Sequence, residues 1–446
     1  MRTRSIPGLL LLAIGMTVLV RSLAIWLTPA AFSADPDAYL AIAETIQHSG
    51  VFGLTDAQGG ARPTAFRPPL YPWLLSFAIT DDGLSHAIIA GFHLVLAAVT
   101  AGCVFSTTER LIQQQGFGGT RVTAERLGFA AAMLTAIDPI LLKQSTELMT
   151  ETLATALATV VIWFWLRGTI AESRSTALIN ATGLGAFLAL AYLCRPTFLV
   201  WAVLLVFASL FVSPVRRHWK QTAMMASLVI VAVVGWTLRN QRELGHPIWA
   251  TTHGGYTLLL ANNESFYHYL ASGNVGQVWD AEPFLTAYSH RYEGNPRRPE
   301  FWQQEWPDPP RYDAATTEYD DDRLCYESAK ATILRHPGMF VWSAMVRAGR
   351  LWSPLPHETS ARSGVAVYAV GVFYLLIYVA VLVTLIRHRR VVFRKQWWAI
   401  WLLALTLTAV HSVYWSNLRM RAPVMPAVAI LAVLCLATAP RRSTAT

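Results

Sequence analysis

Hydrophobic positions along this 446-residue chain gather into ten long runs, at 7–28, 84–106, 127–144, 148–166, 177–194, 197–212, 222–238, 364–386, 397–416 and 422–439. About 20 apolar residues carry a helix through the hydrocarbon of a bilayer. Lipid offers no partner to backbone N–H and C=O groups, so such runs satisfy them internally, as helices. The pattern predicts an all-α integral membrane protein with about ten transmembrane helices. It also predicts three regions. Residues 1–238 are an N-terminal transmembrane module whose first external loop is 29–83. Residues 239–363 are a long polar loop region with interfacial helices. Residues 364–446 are C-terminal transmembrane helices.

Shorter runs need a different reading. "LYPWLLSFAIT" at 70–80 is too short to span, and charge supports that. If it stays on one side, Arg2, Arg4, Arg110, Arg121, Arg126, Arg167, Arg174, Arg216, Arg217, Lys220, Arg387, Arg389, Arg390, Arg394, Lys395, Arg441 and Arg442 all share a face. Lys and Arg mark cytoplasmic loops, so both termini are expected in the cytoplasm. The N-terminal run is too long for a signal-peptide core and reads as a retained anchor. "SADPDAYLAIAETIQHSG" at 33–50 shows an apolar stripe at Tyr39, Ile42, Ala43 and Ile46. Asp35 stands as N-cap, Pro36 at the first position and Gly50 at the end. "GMFVWSAMVRAGRLW" at 338–352 reads as an interfacial helix with Arg347 and Arg350 on its polar side.

Composition agrees: 54% of residues are hydrophobic and 14% charged, against about 25% charged in soluble domains. The net charge of +9 is explained by the loop bias, so nucleic acid is excluded as a partner and membrane lipid is expected. Four cysteines show no metal or disulfide spacing.

The polar residues that do not fit simple spans are Asp138, Lys143, Glu147, Glu151, Arg195, Arg239, Arg419 and Arg421. All fall near the outer ends of helices, although charge at membrane depth is expensive and usually functional. The ordinary explanations are specific. Asp35 can be only a cap, and Asp37 and Glu151 can simply favour helix dipoles. Asp138-Pro139 reads as a helix kink, and Gly254-Gly255 as a tight turn. "YDDDRL" at 319–324 reads as a solvated helix start. Arg67, before Pro-Pro and near Trp73, suits a lipid phosphate or plain snorkelling. The aromatic stretch 282–322 could stack on a glycan or form a compact cap.

The order of several motifs resembles a known family. An Asp four residues before Tyr39, then Arg67 before "PPLYP", is similar to the first external loop of GT-C type membrane glycosyltransferases. More narrowly it resembles bacterial relatives of protein O-mannosyltransferases and lipid A aminoarabinose transferases. "LMTETLAT" (148–155), "CRPTFLV" (194–200), "WTLRNQRELGHPI" (236–248), "THGGYTLLLANN" (252–263), "LRHPGMF" (334–340) and "RMRAPVMPAVAIL" (419–431) follow in family order.

The resemblance implies inverting transfer of a sugar, hexosyl or pentosyl, from a polyprenyl-phosphate donor. The acceptor would be a glycan, lipid or protein at the extracytoplasmic face of a bacterial plasma (inner) membrane. It implies Asp35 as base, with Glu151 and then Asp37 as further catalytic candidates. Arg67 and Arg239 come first as phosphate ligands, then Arg195, Arg419 and Arg421. Tyr71, His253, Asn262 and Asn263 are weaker substrate contacts. Pro36 and Phe66 stand where relatives carry acids, so metal ligands are unknown and no cofactor is assigned. A rival reading is a transporter or flippase for a lipid-linked glycan, which would favour repeats and midplane sites. Another is a non-catalytic membrane assembly protein of the same fold.

Overall fold

The computed structural model describes residues 8–114, 117, 120–170, 173–212, 215–273, 278–307, 310, 316–356 and 364–438. Arg2, Arg4, Arg441 and Arg442 lie outside the described residues. The first half contains α1 (Gly8–Trp26), α2 (Tyr39–Ser49), α3 (Leu70–Ser76), α4 (His86–Gln114), α5 (Arg121–Ala136), α6 (Pro139–Gln144), α7 (Glu151–Thr169), α8 (Arg174–Cys194), α9 (Thr197–Val212) and α10 (Val215–Leu244). The loop region holds α11 (Gly254–Ala261), α12 (Glu264–Ala271), α13 (Glu282–Ser289), α14 (Glu318–Arg335) and α15 (Pro337–Trp352). The chain then returns through α16 (Gly364–Val392), α17 (Trp398–Val413), a 3-10 segment Leu418–Val424 and α18 (Met425–Val433).

All ten apolar runs are helical. Among the described residues, eight helical stretches are long and apolar enough to cross a membrane, which makes this an all-α integral membrane fold. The two exceptions are α5 and α9, at 16 residues each. Each measures about 24 Å at 1.5 Å per residue, short of a bilayer core of about 30 Å. The run 127–144 is therefore not one span. Asp138 accepts a hydrogen bond from Leu141 N at 3.0 Å and Pro139 opens α6. A kink was the reading for that pair; the helix instead ends there, leaving a shorter α5 that starts earlier, at Arg121.

Helix α3 has seven residues, about 10 Å of rise, so the segment 70–80 does not cross. Two small antiparallel ladders clip the same loop. Strand β1 (Gly53–Thr55) pairs with β2 (Ala61–Pro63), and β3 (Ile79–Thr80) pairs with β4 (Gly83–Leu84). A Cβ on Gly53 would lie 2.3 Å from Arg62 O, so this crossing requires glycine.

The transmembrane core runs through α7 and α18; every residue of Met425–Val433 is buried. The loop region has a second core around Phe266, Phe284, Trp279 and Trp302. Its aromatic rings face one another, as in the parallel pair Phe284–Trp302 at 5.5 Å. Between the two readings of that stretch, this arrangement is a compact cap. Helix α15 is oriented with its polar side inward. Arg347 is buried, donating to Ser412 O at 2.9 Å and Ala261 O at 2.6 Å. Val341, Trp342 and Met345 are exposed, as an apolar face toward lipid requires.

Gly254-Gly255 opens α11 rather than forming a tight turn. A Cβ on Gly255 would lie 2.0 Å from Asp322 O, so the pair lets α11 pack on α14. The acidic run is also not simply solvated. Asp322 accepts from Gly255 N at 2.6 Å. Asp321 pairs with Arg291 at 2.6 Å and accepts from Tyr292 Oη. Burial pushes the Asp322 carboxyl up to about 6.

Candidate functional site

Five charged side chains from four separate parts of the chain meet at one end of the helix bundle. Arg67 donates from Nε to Asp37 O at 2.6 Å and from Nη2 to Asp37 Oδ1 at 2.7 Å. Asp37 Oδ2 lies 3.5 Å from Arg419 Nη2. Arg419 Nε lies 3.6 Å from Glu151 Oε1, and Arg195 Nη1 lies 3.7 Å from the same oxygen. The order is Arg67–Asp37–Arg419–Glu151–Arg195, three cations and two carboxylates.

Local structure explains how each is held. Glu151 is the first residue of α7, follows Thr150, whose side chain makes no capping bond, and is 1% exposed. Arg195 ends α8 in an extended conformation. Arg419 sits in the 3-10 turn, where Asn417 Oδ1 accepts its N–H. Arg67 follows a pinned segment. Glu318 on α14 accepts from Thr64 Oγ1 at 2.5 Å and from Ala65 N at 2.7 Å. Arg239 on α10 donates to Thr64 O and Phe52 O, both at 2.6 Å.

Asp35 is not the N-cap and Pro36 is not at the first helical position. Helix α2 starts at Tyr39 after Ala38, which is left-handed with φ 57° and supplies no side-chain cap. The Asp35 side chain reaches past it. Its Oδ2 accepts from Ala41 N at 3.0 Å, in the first turn, so the capping chemistry survives from a different position. Gly50 ends the helix at φ 72°. The other oxygen, Asp35 Oδ1, is buried and has no partner among the described residues. Glu151 Oε2 is in the same state.

The arginines divide into two kinds. Arg195 and Arg419 are poorly satisfied. Their nearest further acceptors are the sulfurs of Met420 at 3.0 Å and Met149 at 3.7 Å, and thioethers are weak acceptors. Arg239 is filled by carbonyls, whereas Arg421 gives only Nη1 to carbonyls and keeps a buried Nε and Nη2 with no partner among the described residues. Arg421 Nη1 donates to Leu351 O at 2.9 Å and Ser353 O at 2.7 Å, and its guanidinium lies 4.3 Å from the Tyr374 ring centre. Neither joins the five-residue network.

The remaining candidates have structural partners. Tyr71 is buried edge-on to Tyr39 at 5.3 Å. His93 Nδ1 faces Ser145 O at 3.0 Å; a carbonyl only accepts, so Nδ1 carries the proton and Tyr71 Oη donates to Nε2 at 3.3 Å. Burial pushes Tyr39 up to about 12 and holds Tyr71 well above its ordinary value, so both are neutral phenols. His253 packs edge-on to Phe66 at 4.7 Å. Burial, with the Arg67 charge, lowers it to about 3, so it is neutral. Asn262 accepts from Tyr267 Oη and donates to Val413 O. Asn263 is the N-cap of α12. Glu147 pairs with Lys143 at 3.3 Å, one turn back. Among the described residues, no three His, Cys, Asp or Glu side chains converge as a metal would need. With Asp37 and Glu151 turned to guanidiniums, the residues present do not fit a divalent ion.

Sequence reasoning missed Glu318, Tyr39, Met149 and Met420. Glu318 borders the acidic run, and only its partner at Thr64, more than 250 positions away, gives it a role.

Residues 66–236 match the model of the family Dolichyl-phosphate-mannose-protein mannosyltransferase. Over that stretch the chain is similar to this family. The match includes Arg67, Glu151 and Arg195; Asp35, Asp37 and Arg419 lie outside it. No curated protein matches the sequence. Among solved structures, ArnT from Cupriavidus metallidurans bound to undecaprenyl phosphate is 14% identical, with 94% of this chain and 78% of that chain covered and a TM-score of 0.42. The Archaeoglobus fulgidus oligosaccharyltransferase AglB, in complex with an inhibitory peptide and a dolichol-phosphate, is 12% identical, with 96% and 50% covered and a TM-score of 0.47. The chain thus spans about half the length of AglB.

Proposed function

We propose that this protein transfers a sugar from a polyprenyl-phosphate donor to an acceptor hydroxyl or amine, with inversion, at the extracytoplasmic face of a bacterial plasma membrane. The observation that carries the reading is the pair Arg195 and Arg419. They are two underused guanidiniums flanking a buried carboxylate at the end of a membrane helix. Each of the two keeps a buried nitrogen with no hydrogen-bond partner among the described residues, Arg195 Nη1 and Arg419 Nε, which suits an anionic ligand. The family match over 66–236 supports the reaction class.

The chemistry follows from the groups present. The acceptor attacks the anomeric carbon and its proton passes to Asp35 Oδ1. As the new glycosidic bond forms, the bond from that carbon to the phosphate oxygen breaks. The electron pair leaves with the lipid phosphate. Arg195 and Arg419 meet that growing charge with donors already in place, the arrangement that most lowers such barriers. Asp37 is a poor base, because protonating it gives up two ion pairs. Arg67, held by Asp37 through two hydrogen bonds, positions that carboxylate. Inversion requires only one displacement, and a single free carboxylate suffices for it.

The test is product analysis with purified protein in detergent, offered polyprenyl-phosphate sugars and extracted envelope acceptors. Transfer with release of polyprenyl phosphate is expected. Movement of intact donor across vesicles, without sugar release, would replace this reading with a flippase.

A further inference from the structure

A second site lies at the opposite ends of the same helices. Residues 164–169 of α7 are some 13 to 18 residues from Glu151, about 20–27 Å along the helix. There Phe164, Trp165, Asn180, Leu184, Gln221 and Met225 line a cavity of about 80 Å³. Its walls are mostly apolar, yet two polar atoms face no partner. Asn180 is 2% exposed and its Nδ2 has no acceptor; Gln221 Oε1 has no donor. A buried amide group left unpaired costs about 1–3 kcal/mol, so a ligand that satisfies both is favoured. The volume holds about six water-sized groups, at 10–15 Å³ each, comparable to the heavy atoms of a glycerol unit.

The rim is cationic. Arg167 lies over the Trp163 ring at 4.4 Å and donates to Asn180 Oδ1 at 3.3 Å. Lys220 stands beside Gln221 and is exposed. Basic pockets between membrane helices on the cytoplasmic side suit anionic headgroups.

We infer that this cavity binds an anionic glycerophospholipid with a hydroxylated headgroup, drawn from the leaflet opposite the charge cluster. The phosphate meets Arg167 and Lys220. A headgroup hydroxyl donates to Gln221 Oε1 and an oxygen accepts from Asn180 Nδ2. The acyl chains follow the apolar outer surface of α8 and α10. Only the assignment of the leaflet as cytoplasmic rests on the topology proposed above.

The experiment uses the full chain in detergent with phosphatidylglycerol, phosphatidylcholine and polyprenyl phosphate as probes. Native mass spectrometry reads retention, and a photoactivatable phosphatidylglycerol maps the contact on the wild type. Phosphatidylglycerol should be retained at least about tenfold better than phosphatidylcholine, with crosslinks in peptides covering 164–184 or 209–225. Asn180→Leu and Gln221→Leu should each reduce that retention, and Arg167→Gln should erase the preference between the two lipids. Equal retention of both lipids, crosslinks confined elsewhere, or stronger occupancy by polyprenyl phosphate would each overturn the assignment. Sugar transfer is read separately, so failure here leaves the proposed reaction standing, and the reverse.

Discussion

Two pairs of arginines near the charge cluster look alike in sequence and differ in what surrounds them. Arg239 gives Nη1 and Nη2 to backbone carbonyls at 2.6 Å, and Arg421 gives Nη1 to two more at 2.7 and 2.9 Å while its Nε and Nη2 face no partner among the described residues. Arg195 and Arg419 face carboxylates only at 3.5 to 3.7 Å, and sulfurs besides. A guanidinium that gives its donors to carbonyls of separate segments is a staple that joins them. One whose fork is loosely met keeps its donors for an incoming anion, and pre-placed donors are worth most where charge develops. Burial alone does not separate the pairs, since Arg421 is the most buried of the four. The type of acceptor does.

The largest effect should come from the loosely met pair. Arg419→Ala is expected to cut sugar transfer by about 10²–10³, the range for losing one fixed donor to a developing charge, with Arg195→Ala similar. Transfer within a few-fold of normal in either folded variant would merge the two pairs into one structural class.

Next comes Asp35→Asn. Asparagine can still accept from Ala41 N through its amide oxygen, so α2 keeps its cap. It cannot take the acceptor's proton, so transfer should fall by at least about 10²-fold while donor lipid still binds. Near-normal transfer would leave the cap as the whole explanation of Asp35 and move the search for a base to Glu151.

Arg67 should fall between the two kinds. Arg67→Lys keeps the charge but cannot reproduce both hydrogen bonds to Asp37. A loss of about tenfold in transfer is expected, with a larger loss for Arg67→Ala. Equal losses for both would mean that charge alone matters and would remove the positioning role.

The smallest effect concerns the packing behind the Arg67 segment. The folded state holds a proton on Asp322 up to about pH 6, above the ordinary value of 3.8. The native state therefore binds more protons than the unfolded chain between these values. Stability contributed there falls as pH rises from about 4 to about 6 and stays lost above. Asp322→Asn keeps an acceptor for Gly255 N and removes the buried charge. It should raise the unfolding temperature by a few degrees at pH 7.5, on the order of 1–3 kcal/mol, and change little at pH 4. A lower unfolding temperature at pH 7.5 would show that the charge itself holds α11 to α14.

The membrane helices were legible because lipid imposes length and apolarity on each run independently. The charge cluster was partly legible for the same reason: Glu151, Arg195 and Arg419 stand out against such runs. What escaped was partnership. Nothing in "WTLRNQ" says that Arg239 faces the carbonyls of Phe52 and Thr64, nor in "RMRAP" that Arg419 and Arg421 turn to different neighbours. The Asp35 reading failed in register because the left-handed Ala38 delays the helix by three residues, and alanine gives no local sign of that conformation. Glu318 went unnoticed because its role exists only once α14 folds over the first external loop.

The most direct measurement is equilibrium binding of polyprenyl phosphate, without sugar, to four purified variants: Arg195→Gln, Arg419→Gln, Arg239→Gln and Arg421→Gln. The account predicts that the first two bind at least about tenfold more weakly, some 1.4 kcal/mol, with unfolding temperatures near wild type. The other two should unfold earlier, yet bind within about twofold of wild type below their transitions. Weakened binding in Arg239→Gln or Arg421→Gln with normal binding in Arg195→Gln and Arg419→Gln would contradict the account.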